Sequence, residues 1–440
     1  MQFKKLALAM ALGSIGFIPA AHATNGYFQP GFSVKSVGMG GVGIAFPQDA
    51  LAPAMNPAGN AFLGDRIDFG TTLFRPDRSA TFTNPMGSAT FSGNDQQNFI
   101  IPEFGVNKVI NSDLAVGISM YGNGGLNTGY STLNSGTQGA QCQNPLVLQQ
   151  FGGSQQACMQ SPAGQLGAFG MGPMGVDLQQ LFISPTVAYK INPDNAIGVA
   201  INIVHQSFRA NGLQAFAPLS TNPASFSNPG HGSSNGVGVR LGWLGQLTPT
   251  LSLGATYEPK THMGKISAYS GLFANGGSFD IPANYGVGFA WKATPALTVA
   301  GDVVRIDYAG VSAIANPSDC AFMGTCQLGA SNGGGFGWKS ITVVKLGAAY
   351  QVNQALTVRA GWNHGDNPIP SSQALVNVLA PGVVQDHLTF GATYALNERT
   401  EMSFDYVHAF KKTVTGTGLS QGVAIQMSQN VLGVSIGYKY

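Results

Sequence analysis

The sequence predicts an all-β protein: a fourteen-stranded antiparallel transmembrane β-barrel with an N-terminal plug inside its lumen. Three observations support this fold class. Charged residues make up only 9% of the chain, against roughly 25% in ordinary soluble domains. After residue 23, no apolar run reaches the ~20 residues that a membrane-spanning helix needs. Segments of about ten residues instead alternate apolar with small or polar side chains, which is typical of strands in an outer-membrane barrel.

Residues 1–23 are predicted to be a secretory signal peptide. A basic start at Lys4 and Lys5 precedes an apolar stretch, and the segment closes on AHA, a small-residue cleavage pattern. A retained membrane anchor is the alternative, but the apolar stretch is short for a bilayer. The expected division is a signal peptide over 1–23, a plug over 24–64 and a barrel over 65–440. The expected location is the outer membrane of a Gram-negative bacterium.

The charge balance argues against several kinds of partner. The chain has 21 basic and 19 acidic residues, and removing the leader with its two lysines leaves 19 of each. A neutral chain has no basic field to attract nucleic acid. No cofactor is predicted.

The last ten residues show the alternation most clearly. In VLGVSIGYKY, apolar residues from Leu432 to Tyr440 alternate with small or polar ones. Successive strand side chains point to opposite faces, so one face of this strand is apolar. Tyr440 would close the strand at the periplasmic interface, where aromatic side chains gather. It is expected to contribute to the signal that the barrel-assembly machinery reads.

Fourteen such segments are predicted along the chain. Short turns and long loops rich in Gly, Pro, Ser and Asn join them, as expected for periplasmic turns and extracellular loops. A secreted β-sandwich could also alternate, but its outward face would carry more charge. The predicted long loops are 122–178, 211–234, 314–336 and 365–384. The predicted strands are 66–76, 97–110, 113–121, 179–191, 195–210, 235–248, 250–268, 279–292, 296–313, 337–351, 354–364, 385–396, 399–413 and 426–440.

Four cysteines suggest disulfides, since an exported chain meets an oxidising compartment. Four cysteines allow three connectivities. The pairs Cys142–Cys158 and Cys320–Cys326 are favoured because each lies within one predicted loop, and free thiols are the alternative. The spacings do not match zinc clusters and neither loop contains a histidine, so no metal site is predicted.

Residues 24–64 do not alternate and are predicted to fold into the lumen as a plug, which barrels of this size can hold. GMGGVG fits the G-x-G-x-x-G pattern of dinucleotide sites, but the strand, helix and parallel sheet that such a site needs are missing. Asn56 can cap a short helix with Pro57 in its first position, and an ordinary turn is the alternative. The predicted plug residues are Gly38, Gly40, Gly41, Asp49, Asn56, Pro57 and Ala58.

Several stretches resemble the FadL/TodX family of outer-membrane channels for hydrophobic compounds. SVGMGGVGIAFPQDALAPAMNPAG is similar to the family's N-terminal hatch, and DLQQLFISPTVAYKINPDNAIGVAINIVHQSFRANGL to its fourth and fifth strands. GATYEPKTHMGKISAYSGLF is similar to its seventh strand. RAGWNHGDNPIPSSQ and DHLTFGATYALNERTEMSFDYVHAF resemble its late strands. The likeness covers nearly all of 30–440 and is weakest at 130–176, 211–234 and 314–336.

The resemblance implies a barrel closed by a hatch that passes long-chain fatty acids or aromatic hydrocarbons from outside. It also implies an inward kink in the third strand, through which the ligand leaves sideways into the membrane. Gly122, Asn123, Gly124 and Gly125 match that kink, since glycine tolerates backbone distortion. The alternative is that these glycines begin the long loop. The chain has QDA at 48–50 where the family commonly has an acidic pair, so the hatch electrostatics are expected to differ.

Two kinds of ligand-contacting residue are predicted. A carboxylate ligand should meet a basic lumen residue, and by the family's pattern Arg209 and Lys339 are candidates; the alternative is that both are rim charges near lipopolysaccharide. Exposed apolar residues in the loop between the third and fourth strands suggest ligand capture, with a small loop core as the alternative. These loop residues are Leu146, Leu148, Phe151, Met159, Leu166, Phe169, Met171 and Met174.

Three other functions are weighed against selective uptake. A general porin has no role for the segment 24–64. A lipid-modifying barrel enzyme is disfavoured because neither G-x-S-x-G nor H-E-x-x-H occurs. A structural or adhesive surface protein would lack an apolar tunnel. The predicted protein is a non-enzymatic monomer whose partners are a hydrophobic ligand, outer-membrane lipid and lipopolysaccharide.

Overall fold

The computed structural model describes residues 25–85, 87–131 and 169–440, together with 142, 148, 152–160, 166 and 167. The predicted signal peptide and residue 24 lie outside the described residues. Within those residues, no helix combines the length and the apolar composition needed to cross a membrane.

Fourteen long antiparallel strands form one closed barrel, which confirms the predicted fold class. Each strand pairs with its neighbours in sequence order, and the last pairs with the first from Arg66↔Lys439 to Phe82↔Val423. Closure leaves the sheet without free outer edges. The barrel strands are β1 (Arg66–Asn84), β2 (Phe99–Val109), β3 (Leu114–Tyr130), β4 (Met174–Asn192), β5 (Asn195–Asn211), β6 (Gly232–Thr248), β7 (Leu251–Glu258), β8 (Asn284–Lys292), β9 (Leu297–Ile306), β10 (Ile341–Gln351), β11 (Leu356–Gly365), β12 (Asp386–Ala395), β13 (Thr400–Thr415) and β14 (Val423–Lys439).

Minor elements decorate the barrel. The short strand Gly87–Ser92 folds back on β1, and Leu166–Gly167 pairs with Gly170–Met171. The α-helices are Val34–Val37, Gln155–Met159, Ala274–Gly277, Ser312–Ala315 and Asp319–Phe322. The 3-10 helices are Ala52–Ala54, Pro57–Phe62, Gln214–Leu219, Pro223–Ser225, Ser267–Tyr269, Tyr308–Gly310, Ser371–Gln373, Val376–Val378 and Gly418–Ser420.

The outer surface of the barrel is apolar and exposed. In β14, Leu432 is 52% exposed and Ile436 is 46% exposed, whereas Val431 and Gly433 on either side of Leu432 are buried. Other strands repeat this pattern, with exposed Val199 and Ile201 flanking the buried Ala200 in β5. Water would not tolerate so continuous an apolar surface, but the hydrocarbon of a membrane does.

Three predicted strands run too far at the end of the barrel that carries the long loops. The structure ends β7 at Glu258 rather than 268, starts β8 at Asn284 rather than 279, and ends β9 at Ile306 rather than 313. Pro259 follows β7 directly and has no N–H to donate to a ladder. The chain beyond Ile306 turns into helices instead of continuing the strand.

Three predicted strands are instead longer than expected. β1 continues to Asn84, β3 passes through its glycines to Tyr130, and β4 begins at Met174 rather than 179. The interpretation of 122–125 as the start of a loop is therefore wrong, because residues Gly124 to Tyr130 still pair with β4.

Both predicted disulfides are present. Cys142 and Cys158 are joined with their Cα atoms 5.6 Å apart, and Cys320 and Cys326 with theirs 5.2 Å apart. Each bond closes a short stretch of chain within one loop.

Candidate functional site

Residues 25–64, called the plug segment below, pack against the inward-facing side of the wall. The N–H of Gly40 donates to Thr389 Oγ1 at 2.7 Å, and Asn363 Nδ2 donates to the Gly40 carbonyl at 3.2 Å. Gly40 and Gly41 have φ of 75° and 80°, a conformation that favours glycine. A side chain at Gly361 of the wall would collide with the backbone of Gly40. The predicted glycines Gly38, Gly40 and Gly41 are thus all buried at this contact.

The Asn-Pro-Ala element anchors the other end of the plug segment. Asn56 caps the 3-10 helix that begins at Pro57, with its side chain accepting from Ala58 N at 3.0 Å, as predicted. Its Nδ2 donates to the carbonyls of Ile44 and Trp243 at 2.7 and 2.8 Å. One buried amide therefore joins two parts of the plug segment and the wall strand β6.

A buried ion network joins the plug segment to the end of the barrel that carries the short turns. Glu401 pairs with Lys35 and, at 2.8 Å, with Arg66, which also binds Asp68 at 2.6 Å. Asp68 accepts the N–H of Ala50 at 2.8 Å. Burial lowers the pKa of Lys35, and Arg66 lowers it further. Burial and then the nearby Asp68 raise the pKa of Asp49.

The wall changes its pairing at the predicted kink. In β3, Gly122 pairs with Leu181 and Gly124 with Gln180, so Asn123 is an extra bulged residue. A bulge bends its strand and increases the local twist. On the other side of β3, pairing with β2 runs only from Ala115 to Met120. Within residues 87–131, the next bridge along that edge is Asn94↔Gly129.

The start of the plug segment covers this interruption. The N–H of Gly125 donates to the Tyr27 carbonyl at 3.1 Å, and the N–H of Gln29 donates to the Asn123 carbonyl at 3.4 Å. Gln29 Nε2 also donates to the Gly122 carbonyl at 2.6 Å. A side chain on Gly124 would overlap the Tyr27 carbonyl, so this close approach requires glycine.

An aromatic cluster holds the same residues from the loop side. The Tyr308 hydroxyl donates to the Asn25 carbonyl at 2.5 Å and accepts the N–H of Tyr27 at 3.1 Å. Its ring stacks on Phe28 at 5.9 Å between centroids and meets Trp338 edge-on at 5.2 Å. Burial raises the pKa of Tyr308 above its ordinary value.

A small cavity, called the lumen cavity below, lies between the plug segment and strands β6 to β10. It borders the bulge at Asn123 and contains two buried cations, Arg240 and Lys345. Sequence reasoning missed both, although each alternates with apolar neighbours and so lies on the inward face. The lining residues are Asn25, Phe28, Gln29, Phe32, Ile44, Met55, Asn123, Arg240, Thr256, Asn284, Val304, Ile306, Val343 and Lys345.

A second cavity, called the loop cleft below, lies among the long loops. Its lining is almost wholly apolar and comes from several loops that are distant in sequence. Most of them fall in stretches where the family resemblance is weakest. The lining residues are Phe169, Val176, Phe208, Leu213, Phe216, Leu219, Phe226, Leu272, Phe273, Ala313, Ser318, Ala321, Phe322, Leu328, Gly334, Gly335, Phe336, Val376 and Leu379.

The structure brings few of the predicted ligand residues together. Arg209 shares the strand face of the exposed Ile201 and Ile203, and Lys339 is exposed just before β10. Neither borders the lumen cavity or the loop cleft. Their predicted contact with a ligand head group therefore gains no support from the geometry.

The predicted capture loop contributes one residue to the loop cleft, the buried Phe169. Met174 is buried at the start of β4, Met159 is exposed, and Leu148 packs against the Cys142–Cys158 disulfide. Leu166 and Met171 belong to the small hairpin. Leu146 and Phe151 lie outside the described residues.

Comparison with known families identifies the chain. Residues 168–440 match the family described as outer membrane protein transport protein (OMPP1/FadL/TodX). The chain belongs to this family. It is therefore an outer-membrane transport protein and not an enzyme, and the resemblance drawn from its sequence motifs is confirmed.

Solved structures of similar fold agree with this assignment. The Pseudomonas putida toluene transporter TodX superposes with a TM-score of 0.67 at 18% identity, covering 95% of this chain and 100% of that one. The Ralstonia pickettii toluene transporter TbuX gives 0.62 at 18% identity, covering 93% and 99%. A Pseudomonas aeruginosa FadL homologue gives 0.65 at 16% identity, covering 94% and 99%. No curated protein matches the chain in sequence.

Proposed function

We propose that this protein takes up hydrophobic compounds passively, capturing them at the loop cleft and releasing them sideways into the membrane at the β3 bulge. Long-chain fatty acids and aromatic hydrocarbons are the two ligand classes under consideration. Each step of this path uses one of the features described above.

Capture rests on the apolar lining of the loop cleft. Phe208 lies 4.6 Å from Phe273 and 4.7 Å from Tyr269, measured between ring centroids, so the aromatic wall is already packed. Burying an apolar tail there would contribute roughly 0.8 kcal/mol per methylene. A polar outer leaflet offers no comparable gain, so the cleft would concentrate such molecules at the surface.

The plug segment is proposed to block water-soluble molecules. It hydrogen-bonds to the wall at several places around the lumen, including Thr389, Trp243 and Glu401. A barrel filled in this way has no wide aqueous path through its lumen, whereas a general porin has a water-filled channel.

Sideways release is carried by a single observation, the interrupted pairing between β2 and β3. β3 continues past Met120 to Tyr130, while β2 pairs with it only as far as Met120. The covering residues Tyr27 to Gln29 belong to the plug segment rather than to the wall. Displacing them would join the lumen cavity, which Asn123 borders, to the membrane.

Deleting Asn123 tests this proposal. Because Asn123 is the extra residue between Gly122 and Gly124, its removal leaves a regular register against Leu181 and Gln180. A straightened strand would close toward β2 and narrow the opening. We expect uptake of a radiolabelled hydrocarbon by cells that lack other such channels to fall about tenfold or more, as expected when a pathway is closed.

Deleting Lys411 is the matched control. β13 shows a register shift against β14 between Ala409 and Lys412, so this deletion also removes one residue at a bulge, but far along the chain from β3. Uptake should stay within about twofold of the unaltered protein, as for a change at an exposed site. Equal uptake by the Asn123 deletion and the unaltered protein would rule out release at β3.

A further inference from the structure

The cations of the lumen cavity decide which hydrophobic molecules it can accept. Arg240 and Lys345 are 3% and 4% exposed, so any ligand in the cavity would meet them away from bulk water. A free buried cation attracts a carboxylate strongly, whereas a cation that already has an anionic partner does not. Their existing partners therefore determine the charge that the site prefers.

Arg240 is paired within the wall. Its Nη2 forms an ion pair with Glu258, and its Nη1 donates to Asn284 Oδ1 at 3.1 Å, while its Nε has no hydrogen-bond partner. Glu258 is itself 1% exposed and also accepts from Asn284 at 2.9 Å and from Asn202 at 2.7 Å. The guanidinium and the carboxylate thus form a neutral pair.

Lys345 is engaged by the plug segment and lies near a second buried carboxylate. Its Nζ donates to the carbonyls of Pro30 and Gly41 at 2.6 and 3.1 Å. Asp302 lies directly opposite it on β9 and is also buried, but the two side chains form no ion pair. Asp302 also accepts the N–H groups of Gly43 and Ile44 at 2.8 and 3.2 Å.

The loop cleft adds no charge to this balance. Among the described residues that line it, none is ionisable, and Ser318 is the one with a polar side chain. A molecule that passes from the loop cleft to the lumen cavity therefore meets apolar surface and then two buried cations, whose charge is balanced by the buried carboxylates of Glu258 and Asp302.

We propose that the channel carries uncharged hydrophobic compounds, such as hydrocarbons and alcohols, and discriminates against carboxylates of the same size. A carboxylate would bring one unbalanced negative charge to a cavity whose two cations are already balanced by two buried carboxylates, and burying such a charge is costly. An alcohol of equal length leaves this charge balance unchanged and can hydrogen-bond to the lining amides of Asn25, Gln29 and Asn123. This inference rests on the proposed uptake function and narrows its ligand class.

The test compares phenylhexanol with phenylhexanoate, which differ only in the head group. The full chain in lipid nanodiscs is titrated with each ligand, and displacement of the neutral fluorescent probe 1-aminoanthracene is measured against empty nanodiscs. The pH is kept well above the ordinary carboxyl pKa of about 4.3. We expect phenylhexanol to bind at least about tenfold more tightly, as the cost of an unpaired buried charge requires.

The variant Glu258→Gln sharpens the comparison, because it leaves Arg240 without its anion. Binding of phenylhexanoate should then improve by about fivefold or more, as expected for a newly unpaired cation. Glu398→Gln is the matched control, since Glu398 is exposed in the turn before β13, and it should leave the ratio of the two affinities unchanged.

Equal or tighter binding of phenylhexanoate to the unaltered protein would overturn the inference while leaving hydrophobic uptake in place. If neither ligand displaces the probe, the proposed uptake function fails and the inference fails with it. If Glu258→Gln does not fold, the comparison on the unaltered protein still decides the matter.

Discussion

The two ends of the barrel interior contrast sharply, although the same strands build both. Near the short turns, β1 places Arg66 and Asp68 inward, and Asp68 holds the plug segment. Toward the long loops, the same strand places Phe74 and Ala80 inward, on either side of the buried Arg78. The two-residue period of a strand thus sets whether a residue faces inward or outward. Along the inward face of β1, the residue type then distinguishes the part that contacts the plug segment from the part near the long loops.

The largest expected effect concerns the plug segment as a whole. Deleting residues 25–64 should raise single-channel conductance by about tenfold or more, because an unfilled barrel of this size is a water-filled pore. Planar-bilayer recording measures it, and circular dichroism confirms that the barrel still forms. Unchanged conductance would show that the long loops, and not the plug segment, close the channel.

A more local effect is expected when the polar half loses one carboxylate. Glu401→Gln removes the shared anion of Lys35 and Arg66 and should destabilise the docked plug segment by about 3 kcal/mol, as for other broken buried pairs. Hydrogen exchange of the amides between Val34 and Met55 measures this.

The control is Glu398→Gln, which removes an exposed carboxylate three residues earlier. It should leave exchange unchanged, since exposed charges contribute little to stability. Equal exchange in the two variants would mean that backbone contacts alone hold the plug segment.

The smallest of the three effects belongs to the apolar half. Phe273 is 3% exposed and packs between Phe208 and Phe279 at 4.6 and 4.9 Å between centroids. Phe273→Ala should weaken binding of phenylhexanol about fivefold, because the loop cleft loses an aromatic side chain from its wall. Phe410→Ala, an exposed phenylalanine on the outer face, serves as the comparison and should bind normally. Identical affinities would place capture elsewhere.

The sequence alone was sufficient for the barrel because its signal is local and repeated. The alternation of apolar with small or polar residues predicts each strand, as in β14, and the number of such segments gives the strand count. Strand ends were less predictable: residues 259–268 continue an apparent strand pattern, but Pro259 and the inward turn toward Met263 end the ladder. The cap at Asn56 was predictable because it involves only neighbouring residues.

The candidate site was mostly beyond the reach of the sequence because it depends on distant contacts. The loop cleft joins Phe169, Phe226, Phe273 and Phe336, which no spacing rule connects. Lys345 and Asp302 meet only through the register of β9 and β10. Charges at strand ends, Arg209 and Lys339, were easier to notice than Arg240, whose inward position becomes meaningful once Glu258 is seen beside it.

The barrel wall is held less firmly at the unpaired edge of β3, where residues Tyr27 to Gln29 cover it, than at its other strand pairs. Seventeen residue pairs join β1 to β14, whereas three hydrogen bonds tie Tyr27 and Gln29 to the stretch from Gly122 to Gly125. At about 1 kcal/mol each, those three bonds can yield while every ladder of the wall stays intact. If release occurs at β3 as proposed, we expect Tyr27 to Gln29 to detach, so that the wall opens toward the lipid while its strand ladders stay paired.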